Sequence, residues 1–255
     1  MSEPIAKSVT VGTVVDVASN GASEGPSIAI VIYTLFGHVA ALAEAEKAGI
    51  EAAGGKATIY QVEETLPAPV LEKMQAPSKP EYPVIQPQDL LKHDGILIGV
   101  AARYGSMPTQ MKAFWESTGQ LWYANALTGK LVGAFISTGG QGGGQEATFY
   151  SLMATFVHHG MLFVPLGYKD TVDYLGGMEE IHGGSPWGAG TFAGQGGGAI
   201  RQASKLELEV AQLQGSSSTN TSLGRIGPRL SRPRSRISLI AGSHLPKVAI
   251  LRSRS

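Results

Sequence analysis

Three short runs of continuous apolar residues constrain this chain more than any other feature: IAIVI at 28–32, GILIGV at 95–100 and LVGAFI at 131–136. Each is too short for a core helix and lacks the alternation of a half-exposed strand. Each is the pattern of a parallel strand covered on both faces. Helical patterns follow all three: AALAEAEKAGIEAAGG after the first, MKAFWESTG after the second, ATFYSLMATFVHHG after the third. Further strands are expected at 57–62 (ATIYQV), with Gly54 and Gly55 as the helix stop before it, and at 161–164. Strands alternating with helices predict an α/β, doubly wound open parallel sheet, with ligands at the carboxyl ends of its strands.

The first strand leads through Tyr33 and Thr34 to a turn at Gly37, then into a helix. A turn of this kind offers free N–H groups and the positive end of a helix dipole, so it can hold a phosphate without a lysine. Thr34 adds a hydroxyl, and Gly37 lets the backbone approach an anion. Neither a Walker A pattern nor a dinucleotide GxGxxG is present. A strand–turn–helix with one glycine is common, so this turn alone does not establish a ligand. The loops after the second and third strands, AARYGSMPTQ and STGGQGGGQE, fall on the same sheet edge, and that convergence is the stronger signal.

Composition narrows the class. The chain has 255 residues, 34 glycines and no cysteine. Disulfides, zinc–thiolate sites and thiol catalysis are excluded, and a cytoplasmic protein is expected. No apolar run approaches a membrane span. Net charge is zero but unevenly placed: from Gly215 onward the chain carries +8 with no acid, and the rest carries −8. The expected division is a loosely ordered extension over 1–26, a binding domain over 27–215 and a disordered Ser/Arg-rich tail over 216–255. The SSSTNTS run is expected to end the last helix, SKLELEVAQLQ, at Gly215. The abrupt change of composition reads as an altered reading frame or retained intron more than as an appended functional tail. The 1–26 stretch, interrupted by Asp16, is a poor signal peptide. Six prolines between 63 and 93 predict an irregular connection with one short helix.

The segments IYTLFGHVA, ARYGSMPTQMKAFWESTGQLW, ISTGGQGGGQE, HHGMLFVPLGY and HGGSPWGAGTFAG, in that order and spacing, closely resemble the flavodoxin-like type IV NAD(P)H:quinone oxidoreductases, the WrbA family. The resemblance covers about 28–215. It implies a five-stranded sheet of order 2-1-3-4-5, FMN as cofactor, NAD(P)H as electron donor, a quinone as acceptor, and a homo-oligomer, dimer or tetramer. It implies two-electron, ping-pong hydride transfer through flavin N5, a role in oxidative stress, and no protein nucleophile or metal.

Carried over by position, Thr34, Leu35, Phe36, Gly37, His38 and Val39 hold the FMN phosphate. Ala102, Arg103 and Tyr104 border the ring, and Ser137, Thr138, Gly139, Gly140, Gln141, Gly142 and Gly143 wrap its other side. Trp122 stacks near the flavin face beside the substrate, and His158 reaches the flavin of a neighbouring subunit. Phe36 stands where the family often has Tyr, which puts nicotinamide handling in doubt. Ala102 stands where Thr or Ser is usual, which leaves a backbone contact there. These departures keep a second reading open, a flavodoxin-like scaffold that binds FMN weakly or not at all. A one-electron flavodoxin fits less well, because the HGGSPWGAGTFAG loop is long. Nucleic-acid binding by the tail fits less well too, since no aromatics interleave its arginines.

Overall fold

The computed structural model describes residues 25–194 and 201–226. Most of the 1–26 extension, and the tail from 227 onward, lie outside the described residues. Five parallel strands stand in the order β2-β1-β3-β4-β5: β1 (Ser27–Tyr33), β2 (Lys56–Gln61), β3 (Gly95–Ala101), β4 (Leu131–Thr138) and β5 (Leu162–Phe163). This is the expected order. A sixth strand, β6 (Gly190–Phe192), was not expected. It pairs parallel with Ile136, Ser137 and Thr138 of β4, beyond the point where β5 leaves Val132. The outer edge of β4 is therefore shared by two short strands.

The period-2 alternation of side chains divides each apolar strand between two cores. Ile28, Ile30 and Ile32 face α1 (His38–Ala52) and α7 (Lys205–Ile226), packing with Leu42, Ile50, Val210 and Ala211. Ala29, Val31 and Tyr33 face the other way, with Met111, Phe114 and Trp115 of α3 (Thr109–Ser117), Leu121 of α4 (Gly119–Tyr123) and Leu152 of α5 (Gln145–His158). Two covered faces are the reason these strands are apolar throughout. The proline-rich connection carries one short helix, α2 (Ala68–Lys73), and a 3₁₀ turn at Pro87–Lys92, and a single turn of helix, α6 (Val172–Leu175), lies between β5 and β6.

The expected end of the last helix at Gly215 is corrected: α7 continues to Ile226. Its polar run survives for two reasons. Thr219, Thr221 and Ser222 donate their hydroxyls to the carbonyls of Gly215, Ser217 and Ser218, which satisfies them within the helix. The residues are also small where α7 lies against α1. A Cβ on Gly49 would stand 1.9 Å from the Gln212 carbonyl oxygen, and one on Gly215 2.1 Å from that of Glu46. Thr219 and Ser222 are buried. Residues 216–226 are thus part of the packed body. Among the described residues no helix is long and apolar enough to cross a membrane.

Candidate functional site

The carboxyl ends of β1, β3 and β4 open on one cleft of about 360 Å³. Thr34, Leu35, Phe36, His38 and Val39 line it from the first loop, Ala101, Ala102 and Arg103 from the second, and Ser137, Thr138 and Gly139 from the third. The sequence-predicted loops therefore meet. Met74, Ala193 and Gly194 also line the cleft and were not anticipated. Ala193 and Gly194 lie in the quoted GAGTFAG segment, but Met74, in the proline-rich connection, carries no local signal.

Gly37 turns β1 into α1 at φ 90°, a left-handed conformation that glycine adopts without penalty. It is the N-cap, with no side-chain cap and no acid in the first turn. The Ala41 N–H is the first to bond back along the helix, to the Gly37 carbonyl at 2.9 Å. The amides of His38, Val39 and Ala40 have no intrahelical acceptor. Thr34 Oγ1 accepts the Gly37 N–H at 3.1 Å, which leaves its own hydroxyl proton to donate. A cluster of donors with no acid in the helix's first turn suits a dianionic phosphate.

The His38 ring is engaged elsewhere. Buried, it donates from Nε2 to the Arg201 carbonyl, so its contribution to an anion is its backbone amide. In the second loop, the Ala102 N–H is held by Ser137 O at 2.8 Å and the Arg103 N–H by Ser106 O at 2.8 Å. The Arg103 guanidinium donates to Ala102 O. Contacts from this loop to a bound ring must come from other atoms. Tyr104, at φ 53° and fully exposed, points away from the protein. The third loop divides: Ser137 to Gly139 line this cleft, whereas Gly142 and Gly143 line a second one with Gly184, Ser185 and Phe192. Gly140 and Gln141 line neither. Trp122, 53% exposed, and the exposed His158 do not line the cleft of a single chain either.

The far wall is fixed by two polar side chains that sequence reasoning missed. Glu207 of α7, fully buried, accepts from the N–H groups of Gly183 and Ser204, the Thr191 hydroxyl and Arg201. It thereby ties β6 to the turn entering α7. Gln145 joins Thr138, Thr191 O and the Gly184 N–H. Both residues sit in ordinary helical patterns, and their partners are distant in sequence. On the opposite side Glu64 accepts from Tyr33 Oη and Lys79 Nζ. Burial works against its charge, but the Lys79, Leu66 N–H and Tyr33 contacts outweigh it and hold the carboxyl below its ordinary range. Burial, and then the Glu64 charge, raise the Tyr33 phenol.

A doubly wound sheet with three loops around a phosphate-suited cleft defines the flavodoxin-like class of α/β proteins. A WrbA-like flavodoxin structure from Agrobacterium tumefaciens shares this fold, with TM-score 0.54 and 19% identity, covering 78% of this chain and 98% of that one. Residues 33–169 match the family described as NADPH-dependent FMN reductase. The P25 protein of Schizosaccharomyces pombe is 55% identical over 193 residues, 76% of this chain and 95% of that protein. NAD(P)H quinone oxidoreductase PST3 of Candida albicans is 54% identical over 192 residues, 75% of this chain and 96% of that protein. The chain belongs to the NADPH-dependent FMN reductase family, as the motif resemblance implied. It is accordingly an oxidoreductase with FMN as its cofactor.

Proposed function

We propose that this protein passes two electrons from NAD(P)H to quinones through FMN held in the cleft. The observation that carries the reading is the convergence of three post-strand loops beside a helix N-terminus with no capping side chain. The names of relatives such as PST3 support the donor and acceptor classes. FMN, when bound, supplies the hydride-accepting and hydride-donating chemistry.

The chain's own residues bind, orient and exclude water. The Thr34 hydroxyl and the His38, Val39 and Ala40 amides hold the phosphate. Ser137, Thr138 and Gly139 flank the rest of the cofactor. Apolar Phe36, Ala102 and Met74 bound the mouth, which keeps water from the reacting face. A single mouth serves donor and acceptor in turn, which gives ping-pong kinetics. Trp122 and His158, exposed on one chain, complete the site in a homo-oligomer, dimer or tetramer, with His158 supplied by the neighbouring copy.

The test is a visible spectrum of the purified protein followed by an NADH and p-benzoquinone assay. Flavin bands with quinone-dependent NADH oxidation are expected. Absence of both after incubation with FMN overturns the reading, and leaves a flavodoxin-like scaffold in its place.

A further inference from the structure

Residues 65–79 form a strap that leaves the sheet edge at Glu64 and returns to the same residue. The Glu64 carboxylate accepts the N–H groups of Thr65 and Leu66 at 2.9 Å on the outgoing side and Lys79 Nζ at 2.5 Å on the returning side. Tyr33 Oη, at 3.2 Å from both carboxylate oxygens, fastens this neck to β1, and the Lys79 ammonium lies 4.6 Å from the Tyr33 ring centre. Between the two ends α2 buries none of its residues. Gln75, at φ 54°, turns the chain directly after Met74. Met74, 40% exposed, is the residue through which the strap lines the cleft. A segment closed at its neck and unburied along its helix can shift its tip without disturbing a core.

We propose that Met74 is the specificity-determining side chain for the electron acceptor, favouring quinones with a fused second aromatic ring; this rests on the quinone reading above. A thioether on an unbranched stem adapts to a flat ring and attracts its edge, and the strap lets it follow rings of different size. A one-ring quinone presents nothing beyond the reacting ring for that contact. The Glu64–Lys79 pair sets how far the tip stands from the mouth.

The experiment compares FMN-loaded wild type with Met74→Ala, Met74→Leu and Lys79→Gln. Its readouts are kcat/KM for p-benzoquinone and for 2-methyl-1,4-naphthoquinone, and the calorimetric Kd of the naphthoquinone for the oxidised protein. Met74→Ala is expected to lower the naphtho-to-benzo ratio of kcat/KM about tenfold and to raise the Kd by a similar factor. Met74→Leu should recover most of both, and Lys79→Gln should lower the ratio by releasing the neck. A ratio and Kd within about twofold of wild type in Met74→Ala overturn the inference, as does an equal loss with both quinones. A wild type without flavin or turnover instead removes the quinone reading, and this inference with it.

Discussion

Gly37 carries two requirements, one conformational and one chemical. At φ 90° a side chain is strained, although a Cβ there meets no atom within 4 Å. Gly37→Val therefore costs about 1–3 kcal/mol in the turn itself. It should also shift the amides of His38 and Val39 that are proposed to hold the phosphate. The expected outcome is a folded protein that elutes without flavin from gel filtration; retention of FMN at unchanged affinity would show that the phosphate lies elsewhere. The turn at Gly37 was legible from the strand–Gly–helix pattern. The orientation of the neighbouring His38 ring was not, because its acceptor, the Arg201 carbonyl, lies far along the chain.

At the scale of elements, α1 and α7 meet backbone to backbone at Gly49 and Gly215, and this leaves Glu46 enclosed. Both of its carboxylate oxygens are buried without a partner among the described residues, and burial raises its carboxyl well above the ordinary 4.5. The folded protein thus keeps a proton that the unfolded chain releases above about pH 4.5. That contribution to stability is whole below the unfolded value and is lost as pH rises through the folded one. Glu46→Met removes both the slope and the unpaired group, and should add about 1–3 kcal/mol. In thermal melts its Tm should exceed that of wild type by a margin that widens from about pH 5 to pH 8. Burial also lowers the pKa of His93 and His159, but these titrate alike in both proteins and cancel in the difference. A constant margin would mean that Glu46 has a partner in solution.

At the scale of the whole molecule, Trp122 and His158 are exposed and do not line the cleft of a single chain. If a second copy supplies His158, cofactor occupancy and assembly are linked by mass action. Dilution should then release FMN and subunits over the same concentration range, as followed by flavin fluorescence and light scattering. His158→Ala should weaken FMN binding about fivefold, the worth of one contact near 1 kcal/mol. Monomers that retain FMN normally would place His158 outside the site.

The sequence by itself determined the parallel α/β class and the loops that meet at one sheet edge, and its resemblance to a family implied the strand order. Strands buried on both faces must be apolar without interruption, and the runs at 28–32, 95–100 and 131–136 can be little else. Turns into helices likewise show themselves through Gly37 and the glycines after β4. Tertiary structure alone decided the rest. β6 is three residues long, and its place depends on pairing with β4 and on Glu207 and Gln145. The course of α7 past Gly215 runs against the local preference of Ser, Thr and Gly, yet small residues are what its close approach to α1 demands. Met74 reached the cleft through the Glu64–Lys79 neck. Local pattern reports that a face is buried; the partner it is buried against lies elsewhere in the chain, and only packing brings the two together.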